Sequence, residues 1–194
     1  MASRRFSHAI AEGDGISVVA AVEDADAARA AEAQRAEALV VNGDPERLRE
    51  ATRLPILWRA PAAVERAVEV ADAVTLTLPD EDEDHDPAQR RHEEALAAGL
   101  DCAVEVRTEE ELERALETLD PEIFLLVPPQ DDEVERLEAV LELLAEVPAG
   151  KLAIADLAVT TEDEVHELER AGVDAVIVHA ADVSPLAGEA PPEV

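Results

Sequence analysis

Residues 99–116, GLDCAVEVRTEEELERAL, carry the clearest structural pattern in the chain. It opens on Gly99, and a short apolar run, 102–106, comes next. Thr108 and Glu111 then stand three residues apart. Glycine is common just past a helix end, and an apolar run of this length predicts a buried strand. The Thr–Glu spacing predicts a capping box at the start of a helix. The stretch is therefore helix end, strand and helix start, the repeating unit of an α/β fold.

The same unit recurs along almost the whole chain. Seven further short runs are rich in Val, Ile and Leu, and acidic helical stretches separate them. These runs are residues 16–22, 38–41, 55–58, 73–78, 123–127, 152–157 and 175–178. Strands that are apolar on both faces are typical of parallel sheets covered by helices. Eight strands with seven clear intervening helices predict a small (β/α)₈ TIM barrel, with a doubly wound sheet as the alternative.

The two ends of the chain complete this prediction. Residues 4–12 are expected to form a short helix that closes the bottom of the barrel. After the last strand, residues 179–194 include Pro185, Pro191 and Pro192, so the eighth helix is expected to be reduced or missing. We expect one domain over 1–187 and a disordered tail over 188–194. The position of the missing helix would suit a second copy of the chain or another protein partner, which makes a structural subunit one hypothesis.

A weak internal repeat accompanies the strands. An acid followed by Ala and then by an apolar strand recurs at Glu37, Asp72 and Asp174.

Cys102 and Trp58 are expected to face the helices. His8, His85, His92 and His166 are expected on the surface.

Composition excludes several classes of partner. The 194 residues carry 47 acids against 16 Lys and Arg, a net charge of -31, and the single lysine is Lys151. Nucleic acids and anionic membranes need cations on the protein, so neither is an expected partner. The charge suits a salt-adapted protein. One cysteine and no apolar N-terminal segment favour the cytoplasm, and no run approaches the ~18 apolar residues of a membrane span.

Taken together, these segments resemble the indole-3-glycerol phosphate synthase family, the ring-closing lyases of tryptophan biosynthesis. The resemblance covers roughly residues 5–183. It is carried by 6–20, 54–59, 152–165 and 171–178, and most closely by 99–112, which is similar to the family's fifth strand and helix. It implies a TIM barrel with a site at the C-terminal ends of the strands. No cofactor is predicted.

The family's functional positions are largely changed. The resemblance places Glu105 at the family's fifth-strand Glu, whereas Arg59 stands where the third strand supplies a general-acid Lys. Ala21 and Glu23 replace the first strand's Glu and Lys. Asp156 lies in the segment that replaces Ser-Glu-Ser-Gly, and His179 replaces a phosphate-binding glycine. Arginine, with a pKa above ~12, cannot replace lysine as a proton donor. We therefore expect a diverged member that is non-catalytic or repurposed.

Strand alternation points Glu105 and Arg107 into the barrel, beside Arg59. If catalysis survives, the alternative is an active lyase with an altered site. The candidate catalytic residues are Glu105, Arg59 and Asp156, and the candidate ligand-binding residues are Glu23, Arg107 and His179. The expected ligand is a small molecule at the C-terminal face. The simplest interpretation is a charge network that closes this face, with Arg59–Glu105 as its first pair.

No metal is predicted, although two weak cation sites suggest themselves. One is the set Glu23, Asp156 and His179, which lacks the local spacing of a metal motif. The other is the acidic loop 80–86, which is more simply interpreted as a solvated loop.

Overall fold

Eight parallel strands close into one barrel in chain order. The computed structural model describes residues 5–11, 15–59, 63–80, 84–127, 133–157, 161–179 and 182–186, with only the backbone of 133–135. The strands are β1 Ser17–Ala21, β2 Ala38–Val41, β3 Ile56–Trp58, β4 Ala73–Thr77, β5 Asp101–Val106, β6 Ile123–Leu126, β7 Leu152–Asp156 and β8 Ala175–Val178. Each strand pairs in parallel with the next, and β8 pairs with β1. The (β/α)₈ prediction is confirmed, and the doubly wound sheet is excluded.

Helices surround this barrel and close one end of it. They are α1 Arg5–Ala11, α2 Ala25–Ala33, α3 Glu46–Ala51, α4 Val64–Val70, α5 Asp86–Ala97, α6 Glu109–Thr118, α7 Glu133–Glu146 and α8 Glu162–Ala171. Within the described ranges, none is long and apolar enough to cross a membrane.

Side chains alternate along each strand between the barrel interior and the helix layer. In β5, Ala103 belongs to the interior cluster, whereas Cys102 and Val104 belong to the cluster beneath the helices. Trp58 also packs in the helix layer. The predicted orientations of Cys102 and Trp58 are therefore confirmed. By the same alternation, Glu105 points inward at the C-terminal end of β5.

Helix α1 closes the bottom of the barrel, as the sequence predicts. Phe6 and Ile10 are fully buried or nearly so among the interior side chains. The Asp101 carboxylate holds this helix, because it accepts the Ser7 backbone N–H at 2.8 Å and the Ser7 hydroxyl at 3.0 Å. The first residue of β5 therefore fixes α1 across the barrel floor.

The acid–Ala repeat has a structural cause. Each acid precedes a strand, and its carboxylate accepts a backbone N–H at the start of the preceding strand. The bonds are Glu37 Oε2 to Val18 N (2.8 Å), Asp72 Oδ2 to Ile56 N (3.0 Å) and Asp174 Oδ2 to Ala153 N (2.7 Å). In return, the backbone N–H of each acid donates to the carbonyl of the same partner residue. The repeat thus satisfies buried donors at the barrel bottom.

Two helix starts follow the capping signals, with one difference. Thr161 and Glu164 form the reciprocal capping box of α8. At α6, Thr108 accepts the Glu111 N–H, but the Glu111 carboxylate accepts the Arg107 N–H at 2.7 Å. Glu111 therefore braces the backbone just after β5, where Arg107 stands.

The chain after β8 does not form a helix within the described residues. Residues 182–186 form a turn in which Val183 and Leu186 are buried in the helix layer, and the Val183 N–H donates to Gln34 Oε1 at 2.9 Å. The rest of the segment in which the reduced or missing eighth helix is expected lies outside the described residues, so that expectation stays a prediction. The expected tail, 188–194, also lies outside them. The partner predicted at this position stays a prediction.

One surface assignment is wrong. His92 is buried, because Ala88, His92 and Ala95 lie on the face of α5 that packs on the barrel. Burial lowers the pKa of His92. His8 and His166 are exposed as expected, and His85 is partly exposed.

Candidate functional site

Four charged side chains and His179 form a continuous chain of contacts at the C-terminal ends of the strands, here called the mouth. Arg59 follows β3, Glu105 lies in β5 with Arg107 just after it, Asp156 ends β7, and His179 follows β8. Parallel strands in a closed barrel deliver all of these side chains to one end. The order of contacts is Arg107, Glu105, Arg59, Asp156 and His179.

Arg59 is the centre of this network. Its backbone N–H donates to Val41 O at 2.9 Å, which extends the strand ladder by one residue and aims the side chain across the mouth. Its guanidinium then donates to Glu105 Oε2 at 2.9 Å and to Asp156 Oδ2 at 2.5 Å. One side chain therefore joins three strands. The predicted Arg59–Glu105 pair is present, and the Asp156 contact adds a second pair.

The ends of the network are also hydrogen bonded. Arg107 donates from one terminal nitrogen to Glu105 Oε1 at 2.6 Å. His179 Nε2 lies 2.7 Å from Asp156 Oδ1. Thus all four oxygens of the two carboxylates have a partner.

Burial divides the network into a protected centre and two exposed ends. The side chains of Glu105 and Asp156 are each 10% exposed, and that of Arg59 is 19% exposed. In contrast, the side chains of Arg107 and His179 are 53% and 49% exposed. Buried charges persist when they are paired and hydrogen bonded, as the central three are. The exposed ends are the groups that a ligand can reach.

Proton affinities follow from these contacts. Burial tends to raise the pKa of Asp156, but its bond to His179 and the charge of Arg59 outweigh burial and lower it. The hydrogen bond to Asp156 raises the pKa of His179. Burial tends to lower the pKa of Arg59, but its bonds to Glu105 and Asp156 prevail and raise it. Asp156 is therefore an anion at neutral pH, and His179 is the mouth residue whose charge changes most readily.

The predicted cation sites gain no support from this geometry. Glu23 is exposed and takes no part in the network, and no group of three or more potential ligands that could hold a metal ion occurs within the described residues. Residues 81–83 of the acidic loop lie outside them. The four carboxylate oxygens of Glu105 and Asp156 each have a side-chain partner already.

Sequence reasoning missed two features near the mouth. The first is Glu111, which braces Arg107 from the start of α6; its capping signal was visible, but its partner was not. The second is a cleft of about 510 Å³ between β4 and α5, whose lining includes Thr75, Thr77 and Arg91. No motif in the sequence marks it.

Known proteins support the barrel and, over part of the chain, the resemblance. No family model matches the chain. Indole-3-glycerol phosphate synthase from Polaromonas naphthalenivorans is 38% identical over 98 residues, which cover 50% of this chain and 37% of that protein. The synthase from a Geobacillus strain is 29% identical over 141 residues, 68% of this chain and 52% of that protein.

These matches therefore span between about a third and half of the relatives' length. Among solved structures, a putative phosphonomutase from Burkholderia cenocepacia has a TM-score of 0.65 at 16% identity and covers 91% of this chain and 92% of its own. This likeness shows the shared TIM-barrel fold. The sequence matches show similarity to indole-3-glycerol phosphate synthases over half of the chain or more.

Proposed function

We propose that this chain is a diverged relative of indole-3-glycerol phosphate synthase that does not close the indole ring and whose mouth binds a small molecule. The observation that carries the proposal is Arg59. It stands where the resemblance places a general-acid lysine, and it pairs with both Glu105 and Asp156.

Ring closure needs a group that gives a proton to the leaving hydroxyl. A guanidinium does not serve, because its pKa lies above ~12 and its bonds to Glu105 and Asp156 raise it further. The only lysine cannot substitute, because Lys151 precedes β7 at the opposite end of the barrel. Its ammonium donates to Asp120 Oδ1 at 2.6 Å. Arg59 therefore acts as a structural cation in this proposal.

The alternative is an active lyase with an altered set of Glu105, Arg59 and Asp156. Glu105 supports it, because the resemblance keeps the fifth-strand Glu. Asp156 does not, because its lowered pKa keeps it ionised and unable to donate a proton at neutral pH. The arrangement thus favours binding over ring closure.

The test is direct incubation with the family's carboxyphenylamino-deoxyribulose phosphate substrate, with the indole product followed by fluorescence. We expect no product from the wild-type chain at any pH between 6 and 9. The matched variant is Glu105→Gln, which keeps the size of the side chain and removes its charge. Product from the wild type that disappears in this variant would establish the lyase and overturn the proposal.

A further inference from the structure

A cavity lies at the end of the barrel opposite the mouth, between the C-terminal half of α5 and the first residues of β5 and β6. Its volume is about 160 Å³. The residues that line it are His92, Leu96, Asp101, Cys102, Leu119, Asp120, Glu122 and Ile123. Because a cavity of ~150 Å³ holds a molecule of the size of benzene, there is room here for about six non-hydrogen atoms.

His92 is the buried imidazole of this cavity. The residue is 7% exposed, and within the described residues its ring makes no hydrogen bond, although the charges of Glu93 and Glu122 act on it. Burial lowers the pKa of His92, so the ring is neutral at pH 7 and one of its nitrogens is a hydrogen-bond acceptor. A buried polar group without a partner is costly. An occupant of the cavity that donates a hydrogen bond to this ring would therefore be stabilised.

Acidic residues give the cavity a negative potential. Asp101, Asp120 and Glu122 line it, whereas no Lys or Arg is among the lining residues. Asp101 already accepts two hydrogen bonds from α1, and Asp120 accepts one from Lys151. Glu122 is exposed, and its charge favours positive charge at His92. A cation that enters beside Glu122 therefore gains a charge-assisted bond and keeps part of its hydration.

Two features favour an organic cation over a metal ion. Within the described part of the chain, no group of three or more His, Cys, Asp or Glu side chains could hold a metal ion. Burial also raises the pKa of Cys102 to about 12, so its thiol does not supply a thiolate ligand. The remaining walls are apolar, namely Leu96, Leu119 and Ile123. They suit the hydrocarbon part of a small ligand.

We propose that this cavity binds a primary ammonium group on a hydrocarbon chain, with at most about six non-hydrogen atoms inside the cavity. The ammonium donates to the acceptor nitrogen of His92 and to the carboxylate of Glu122, and the hydrocarbon packs against the apolar walls. A primary ammonium has three N–H donors, so it can serve several acceptors at once. The same group occurs in free alkylamines and in lysine side chains. The site is separate from the mouth and does not rest on the proposed function.

The probe is n-butylammonium chloride, which fits the cavity and which, like a lysine side chain, is charged at pH 7.5. Its titration into the wild-type protein at constant ionic strength is followed through the His92 ring signals by carbon–proton NMR. Substitution of the other four histidines, which are all at least partly exposed, assigns these signals without disturbing the core. We expect a saturable shift of His92, half complete at about 1 mM as for a very small ligand, and no shift of the exposed His166.

Two further probes separate this site from general attraction to a chain of net charge -31. Tetramethylammonium has the charge but no N–H donor, and n-butanol has the hydrocarbon chain but no charge. We expect neither to shift His92 saturably, and a shift by tetramethylammonium as large as that by butylammonium would overturn the inference. Nα-acetyl-lysine amide carries the same butylammonium group. If it binds as tightly as butylammonium, the site accepts a lysine side chain, whereas weaker binding identifies a free amine as the ligand.

Glu122→Gln and Glu93→Gln form a matched pair of variants. Both carboxylates are exposed and act on His92, but Glu122 lines the cavity and Glu93 does not. We expect Glu122→Gln to weaken butylammonium binding about three- to fivefold and Glu93→Gln to weaken it less than about twofold. Equal weakening by the two variants, or no saturable shift of His92 in the wild type, would overturn the inference.

Discussion

Replacing Arg59 tests how much the mouth depends on its central cation. In Arg59→Met the apolar stem keeps most of its volume, and the guanidinium is lost. Two carboxylates that are each 10% exposed, Glu105 and Asp156, then lose their bonds of 2.9 and 2.5 Å. Removing one partner from a buried pair costs about 3–5 kcal/mol, because the remaining charge stays desolvated. We expect the free energy of unfolding to fall by about this amount, a large part of a typical domain's stability.

The matched control is Arg66→Met. Arg66 also contacts carboxylates, those of Glu69 at 2.9 Å, Glu46 at 2.8 Å and Asp44 at 3.5 Å, but these partners are 59–69% exposed. Both variants remove one positive charge from a chain of net charge -31, so the general increase in repulsion is alike. Exposed pairs contribute little, so the control should lose far less stability.

The assay is urea unfolding at pH 7 and fixed salt, with the transition slope compared between variants. A slope that stays constant shows that only stability changed. An Arg59→Met protein that is no less stable than Arg66→Met would show that Arg59 does not neutralise two buried carboxylates.

Four further predictions follow from single contacts or from charge. The hydrogen bond to Asp156 raises the pKa of His179, so this contact stabilises the fold fully below the unfolded pKa of about 6.5 and stops doing so as pH rises through the folded pKa. The difference in free energy of unfolding between the wild type and His179→Asn should therefore shrink from pH 6 to pH 9. A difference that stays constant would contradict the Asp156 bond. Burial raises the pKa of Asp174, whose carboxylate accepts the Ala153 N–H. Asp174→Asn should therefore keep or increase the free energy of unfolding at pH 7, whereas Asp174→Ala should lose about 1 kcal/mol in denaturant unfolding. Equal losses in the two variants would contradict a role for the side-chain oxygen as acceptor. Burial raises the pKa of Cys102 to about 12, so a thiol reagent should label it only in urea, and rapid labelling of the native protein would show the burial to be wrong. The urea midpoint should rise from low to molar sodium chloride as the net charge of -31 is screened, and an unchanged midpoint would contradict that view.

The barrel could be predicted from the sequence because the alternation of strand and helix signals is local and recurs along the chain. Gly99 and Gly172 mark helix ends with φ of 84° and 98°, and strand alternation placed Cys102 outward and Glu105 inward. His92 was misplaced, because a polar residue on the inner face of α5 breaks the usual rule that such faces are apolar. Reading Ala88, His92 and Ala95 as one helical face would have found it.

The site was predictable in its members but not in its connections. A position at or just after the C-terminal end of a strand predicts five members of the site, and the structure brings all of them together. They are Arg59, Glu105, Arg107, Asp156 and His179. Glu23 was named by the same rule and stays outside the network. Which cation contacts which carboxylate depends on barrel register and side-chain reach, and neither is written in a local motif. The acid–Ala repeat was visible, but its role in accepting strand N–H groups needed the register of neighbouring strands.

A double-mutant cycle between Arg59 and Asp156 measures whether Arg59 is a structural cation bonded to a buried carboxylate. Urea unfolding of the wild type, Arg59→Met, Asp156→Asn and the double variant gives the coupling free energy of the pair. The 2.5 Å contact between two largely buried groups predicts a coupling of about 2 kcal/mol. Changes that simply add, to within about 0.5 kcal/mol, would contradict this role of Arg59.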